Sequence, residues 1–545
     1  MEGQGLLIPS SDIVWWLPVL LYAETHYRFK YFFSLLKKRE PEIIADAPHR
    51  LEPGQPLPLL ILAKDANLYP CTLGQIKVVV RQQSRTLYEG DLLSTPRSLD
   101  KALWYEILRI DTDGWTGWVD VEVALQIQQR GRVKTYYSDN HRTSSHAPLR
   151  VYVARDPLPR FPDLVLGDAH THSSYTSDQV EFGPPLRAAR ELCQAMGLSF
   201  FCATDHSYDL DDRLDSYLVN DPEIPKWKAL QAEITDANGE TDAFAIIRGE
   251  EVSCRNGRDR NVHFLLLGAR TFVPGSGDGA ERWLQNRSEH SIADILASRE
   301  DGTVPFAAHP KEKVPFLQRL LLSRDGWSDR DLQLHGLSGV QFANGFLNSG
   351  FWAGKESWVK LLLSGRRVFA LAGNDSHGNF NRFRQVGMPF LKIREMDHQL
   401  FGKMRTGVII EGKATEEAIL RAFRSGSMIV SDGPVARISV LEQSGRKIEM
   451  GGTARGKSQK LFLEVHSTAE FGELARLNVI VGDIGATGEK PIHEAEGNLG
   501  LNLTRDITLE VSKPSYLRLE VFTTPSSPTD KNPHWCFTNP IWIEP

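Results

Sequence analysis

The sequence predicts an α/β fold, a (β/α) barrel over residues 163–432 flanked by β-sandwich-like domains over 1–157 and 433–545. Three observations predict it. A chain of 545 residues is long enough for about three domains at roughly 100–200 residues each. Short apolar runs alternate with helical patterns only in the middle of the chain, and both ends carry strand-like runs punctuated by Gly, Pro and Ser.

In the first region the strand candidates are 59–63, 76–80, 118–123 and 149–153, and the last two alternate as half-buried strands do. The Pro-rich stretch 156–162 reads as a linker. In the middle region seven runs, 164–166, 199–203, 244–247, 263–267, 304–308, 339–342 and 368–372, are strand candidates. Several are continuously apolar, as parallel strands buried on both faces are. Helices are expected at 184–196, which starts with Pro and stops at Gly197, at 291–299, where Ser291 and Asp294 form a near-capping box, and at 352–363. The last region offers strands at 436–441, 461–466, 477–481, 507–511 and 517–522.

Composition narrows the class. Hydrophobic content of 41%, charged content of 24% and a net charge of -6 describe an ordinary globular chain and argue against a nucleic-acid scaffold, which is normally basic. Cys71, Cys193, Cys202, Cys254 and Cys536 are scattered and form no C-x-x-C pair, so neither a disulfide framework nor a thiolate zinc site is expected, and the compartment reads as reducing and cytoplasmic. The apolar run 13–23 is shorter than the roughly 20 residues a membrane span needs, so no transmembrane segment is expected. It reads as a buried element. The alternative is an interfacial anchor, with Trp15, Trp16 and the following Lys37, Lys38 and Arg39.

The chemistry is carried by His, Asp and Glu placed around the strand candidates. His170 and His172, two apart in extended chain, point to one side and can grip one ion together. Asp178 follows six residues later. Thr204-Asp205-His206 ends the second run, Gly249-Glu250-Glu251 follows the third, His263 opens the fourth, His309 follows the fifth, and Asp375 and His377 follow the seventh. Imidazole and carboxylate suit zinc, manganese or iron. Nine such ligands exceed the need of one ion, so two or three divalent metal ions are expected.

This order, H-x-H, an Asp, T-D-H, G-x-E, an isolated His, A-H-P and D-x-H, resembles the PHP (polymerase and histidinol phosphatase) superfamily over roughly 163–380. The resemblance implies a distorted (β/α)7 TIM-like PHP barrel with a trinuclear metal site. Its ligands would be His170, His172, Asp178, His206, Glu251, His263, His309, Asp375 and His377, with Glu251 as the bridging carboxylate. His170, His172, Glu251 and Asp375 would hold one ion, His263 and His309 the second, and Asp178, His206 and His377 the third. Gly373 to Asn381, Ser431 to Pro434 and Phe537 to Trp542 resemble the CehA/McbA branch, which includes aryl carbamate ester hydrolases.

The expected activity is hydrolysis of a small-molecule ester by an ion-activated water. Glu251, Asp375 and Arg382 are the catalytic candidates. Arg382, Arg384 and Lys311 could hold phosphoryl oxygens, which favours a phosphoesterase. Tyr175 could donate a proton or wall the pocket, and Trp352 and Phe346 could line an apolar leaving-group pocket. A carboxyl or carbamate ester hydrolase is the alternative, and a non-catalytic, metal-stabilised binding protein is the third reading.

Overall fold

The computed structural model describes residues 40–141, 144–176, 183–214, 216–279, 286–387, 392–526 and 532–545. The apolar run 13–23, Lys37, Lys38, Arg39 and Asp178 lie outside the described residues. No helix among the described residues is long and apolar enough to cross a membrane.

The first region is built from strands. Leu57–Lys64 lies between Glu42–Asp46 and Leu103–Ile110, and a 7-stranded sheet is centred on the antiparallel pair Cys71–Gln82 and Gly117–Gln129. Val119, Val121, Val123, Leu125 and Ile127 occupy alternate positions and are buried, because successive residues of a strand point to opposite faces. With Ile61, Ile76, Val78 and Val80 they form a core separate from that of the rest of the chain.

The central and C-terminal regions share one continuous core and one 16-stranded sheet. The sheet starts at Phe369–Gly373 and passes through Gly339–Asn344, Val304–Ala308, Asn261–Leu267, Ala245–Arg255, Phe200–Ala203 and Leu164–His172. It continues through Arg405–Ile409 and Met428–Ser431 into the C-terminal strands Trp535–Thr538, Ser515–Thr523 and Leu474–Asp483.

This overturns the expected distorted (β/α)7 TIM-like barrel. The chain is mostly strand, arranged as a curled mixed sheet. Asn261–Leu267 runs antiparallel to both neighbours, and Leu164–His172 runs antiparallel to Arg405–Ile409. The physical reason is that a buried apolar run looks the same in either direction. Direction is set by the turn at 256–260. There Asn256 Oδ1 accepts from the backbone N–H of Arg258 and Arg260, closing a tight hairpin where a crossover helix would be needed.

Three helices pack near the expected places. Leu186–Ala195 stops before Gly197, which has φ 88°. Ile292–Ser298 has the full capping box of Ser291 and Asp294. Ser349–Leu363 is capped by Asn348 and starts three residues earlier than the sequence suggests. The curl brings the two ends of the central sheet together at Gly373, where a Cβ would lie 2.6 Å from the His170 backbone nitrogen.

The C-terminal motifs join the regions. Asn539 Oδ1 accepts from Ala370 N–H at 2.8 Å, and its Nδ2 donates to the carbonyls of Ala370 and Met428. Ser431 Oγ donates to the Pro434 carbonyl, and Asp432 Oδ1 accepts from Trp535 N–H at 2.7 Å. Asn539→Ala would leave the buried backbone N–H and carbonyl of Ala370 without their side-chain partner, whereas the Met428 carbonyl keeps the Asn539 backbone N–H. Urea unfolding should show a loss of about 2–3 kcal/mol, whereas an unchanged midpoint would show that Asn539 does not stitch the sheet.

Candidate metal centre

Glu251 is the centre of the cluster. It lies in the middle of Ala245–Arg255, not at a strand end as the sequence suggests, and is fully buried. Oε1 stands 3.3 Å from His170 Nε2, 2.7 Å from His263 Nδ1 and 3.1 Å from His309 Nε2. Oε2 stands 3.5 Å from His172 Nε2 and 2.9 Å from His206 Nδ1. Asp375 Oδ1 approaches His172 Nε2 at 3.0 Å and His170 Nε2 at 3.5 Å. His377 closes the set, with Nε2 3.4 Å from His206 Nε2 and its ring stacked on His172 at 4.0 Å.

Local structure explains each position. His170 and His172 end the strand Leu164–His172 on one face, with ring centroids 5.3 Å apart. His377 pairs with His172 through the short strand Ser376–His377. His206 caps the turn of helix Ser207–Leu210. His263 is the third residue of Asn261–Leu267, whose strand starts two residues before the run expected at 263–267. His309 and Asp375 have φ of 27° and 52°, left-handed backbone that L-residues adopt less readily than glycine.

Surrounding groups fix which nitrogen faces the centre. Gln341 Oε1 accepts from His170 Nδ1 at 3.0 Å, and the Gln341 amide is itself oriented by donating to Asn344 Oδ1. His170 Nε2 is thereby left facing Glu251 and Asp375. On the other side Asp278 Oδ2 accepts from His263 Nε2 at 2.8 Å, leaving Nδ1 towards Glu251. A carboxylate behind a ligating imidazole orients it and raises its basicity. Asp168 accepts from the backbone N–H of His170, Asn374 and Gly402 and so ties the two ligand segments together. Burial pushes its carboxyl up to about 6.

The residues present fit divalent ions. His170 Nε2, His206 Nδ1 and Glu251 Oε2 are buried and have no well-directed hydrogen-bond partner, although charged neighbours lie within 3.5 Å. Among the described residues, three sets of donor atoms could each hold an ion: His170, His172, Glu251 and Asp375; His206, Glu251 and His263; and His172, His206 and His377. The first is the quartet assigned above to one ion. His206 belongs to two sets and His263 stands with His206, which differs from the expected partition. Burial would raise the Glu251 carboxyl, but His263, His170 and His206 hold it well below the ordinary range. Burial opposes charge on His170 and His263 too, yet the carboxylates of Glu251, Asp375 and Asp278 hold both at about 9. Burial and the neighbouring His377 and His206 push His172 down.

The remaining candidates lie elsewhere or make other bonds. Arg382 pairs with Glu395 at 3.1 Å and donates to the Pro148 carbonyl, joining the first region to the segment after His377. Lys311 Nζ donates to Trp327 O and Asp329. Tyr175 donates its hydroxyl to Glu233. Trp352 is 45% exposed beside Phe351. Phe346 stacks on His398 at 4.6 Å, next to Gln399, whose Nε2 reaches Asp375 Oδ2 at 3.4 Å. The Arg384 side chain and Asp178 are outside the described residues. Sequence reasoning missed Asp278, Gln341 and Arg324. Asp278 and Arg324 lie in loops with no motif, and Gln341 reads as one more residue of a strand.

No family model matches the chain, and no curated protein matches it. Among solved structures, a glycosyl hydrolase family 2 member from Bacteroides cellulosilyticus DSM 14838 is 9% identical, with a TM-score of 0.18 over 93% of this chain and 63% of that one. A β-D-mannosidase from Dictyoglomus thermophilum is 7% identical, with a TM-score of 0.22 over 91% and 66%. An α-2-macroglobulin from Escherichia coli is 9% identical, with a TM-score of 0.16 over 94% and 24%. The chain thus spans less than two thirds of the length of each of these. Superpositions this loose carry no argument about fold or activity.

Asp278→Asn should weaken metal affinity about 10–100-fold, read by competition with a chromogenic chelator; unchanged affinity would remove Asp278 from the site. His170 and His263 are raised from the ordinary 6.5 to about 9, so their protonation stabilises the ion-free fold fully below pH 6.5 and this contribution is lost as pH rises through about 9. Metal binding between these limits should therefore release protons. Calorimetry in buffers of different ionisation enthalpy reads this directly, and a buffer-independent enthalpy would contradict it.

Proposed function

We propose that the chain is a metal-dependent hydrolase of ester bonds and that its substrates are small phosphate esters. One observation carries the reading. A single buried carboxylate, Glu251, has the rings of His170, His172, His206, His263 and His309 within 3.5 Å of its oxygens, an arrangement that isolated side chains do not favour. The ligand order along the chain, which resembles the PHP superfamily, supports the same reading; the expected barrel forms no part of it.

Two or three divalent ions of zinc, manganese or iron, held by the residues above, would supply Lewis-acid and water-activating chemistry. The chain's own groups do the rest. Glu251 and Asp375 balance positive charge. Asp375, with 15% of its side chain exposed, is the more open of the two carboxylates, which supports a role in taking a proton from the attacking water. Gln341, Asp278 and Asp168 hold the imidazoles and the ligand segments in place.

A second reading, hydrolysis of a carboxyl or carbamate ester as in the CehA/McbA branch, is favoured by the Phe346–His398 stack. It offers an apolar face beside Gln399 and Asp375 for an aryl leaving group.

The test is an ester panel with manganese or zinc: p-nitrophenyl phosphate, bis-p-nitrophenyl phosphate and p-nitrophenyl acetate. Phosphate hydrolysis should dominate, and His170→Ala and Asp375→Ala should lose at least about 100-fold, the scale of a few kcal/mol. Dominant acetate hydrolysis selects the second reading. Metal-replete protein inert on all three leaves a metal-stabilised binding protein.

A further inference from the structure

We infer that Arg324 forms an oxyanion subsite at the open edge of the metal centre and takes a phosphoryl group of the substrate. The inference rests on the hydrolase reading and names which part of the substrate the chain itself grips.

The first argument is one of donors and acceptors. Arg324 Nη2 lies 3.1 Å from His263 Nδ1, and its Nε lies 3.6 Å from Asp278 Oδ2. His263 Nδ1 is also the nitrogen that faces Glu251 Oε1 at 2.7 Å. That nitrogen carries either one proton or one lone pair. With the proton it donates to Glu251 and cannot accept from Arg324. With the lone pair turned to a cation at Glu251, the lone pair is already used. In the ion-free chain a neutral ring protonated at Nε2 can accept from Nη2; once a cation takes the lone pair, Nη2 has no acceptor in His263, and a guanidinium cannot shed its proton. Its remaining donors are available to a ligand.

The second argument is exposure. Glu251 and His170 are closed off at 0%, and His263 side-chain exposure is 2%. His309 at 10%, Asp375 at 15% and Arg324 at 24% form the edge that solvent reaches. Arg324 is the most exposed of these three and the only one with a permanent positive charge.

The third argument is rigidity. The loop bearing Arg324 is fastened to the strand bearing His263. Asn261 N–H donates to Ser323 O at 3.0 Å, Asn261 Nδ2 to Leu322 O at 2.8 Å, and Asp325 N–H to Asn261 O at 2.8 Å. Trp327 Nε1 donates to the His263 carbonyl at 3.0 Å. A side chain carried on such a frame loses little further freedom on binding.

The ligand class follows from the fork. A guanidinium presents parallel donors that match two oxygens of a phosphoryl group, whereas a neutral ester carbonyl offers one.

The test is calorimetric titration of inorganic phosphate into manganese-loaded protein, with metal content measured in parallel. Arg324→Gln should keep its manganese and bind phosphate at least about tenfold more weakly, the scale of one charge-assisted hydrogen bond. Arg324→Lys, which keeps the charge without the fork, should fall between. Equal phosphate affinity in Arg324→Gln overturns the subsite, as does loss of manganese in that variant, which would make Arg324 a support for Asp278 only. Wild-type protein that binds manganese and phosphate but hydrolyses no ester overturns the hydrolase reading and leaves the subsite standing. Wild-type protein that holds no manganese overturns both.

Discussion

A carboxylate sealed from solvent among imidazoles sets the terms for everything around it. Burial alone would neutralise Glu251, and the like-charged neighbours would do the same to the rings. The ion-free chain reconciles them by sharing protons: Glu251 stays anionic, His170 and His263 keep protons, and His172 is forced to the neutral state. Even so His170 Nε2, His206 Nδ1 and Glu251 Oε2 are left without aligned partners. Unpaired polar atoms at this depth cost about 1–3 kcal/mol each, so the arrangement is one that a fold optimised for stability alone would not keep. Cations at these sets would convert the unpaired atoms into ligand bonds.

Much of this was readable along the chain because strand geometry is local. His170 and His172 share a face by the two-residue period, and His309, Asp375 and His377 follow their strands as their positions suggest. The capping box at Ser291 and Asp294 was equally legible, since its partners are three residues apart. What could not be read depends on pairing at a distance. Glu251 sits mid-strand because its strand runs on to Arg255 to meet Asn261 in a hairpin. The direction of that pairing, and with it the difference between a parallel barrel and a mixed sheet, is decided by Asn256 in a five-residue turn. Asp278 and Arg324 reach His263 from loops 15 and 61 residues away. Arg382 looked like a phosphate ligand because it follows His377, but it is engaged by Glu395.

The flanking regions acquire a role from one segment. Strand Phe369–Gly373 and the residues after it carry Asp375 and His377, and this segment is held from both sides. From the first region, Asp46 Oδ2 accepts from Phe380 N–H at 3.0 Å, His49 Nδ1 contacts the Phe380 carbonyl, and Asn381 exchanges hydrogen bonds with the Arg150 backbone. From the C-terminal region, Asn539 grips both backbone groups of Ala370. Asp375 needs such support. Its φ of 52° is a conformation that costs of order 1–3 kcal/mol and persists only where the surroundings over-determine it. A ligand segment free at either end would relax towards ordinary backbone and carry the Asp375 carboxylate away from His170 and His172. The two β-rich regions therefore act on the candidate centre mechanically, by fixing a segment whose own backbone preference works against the site.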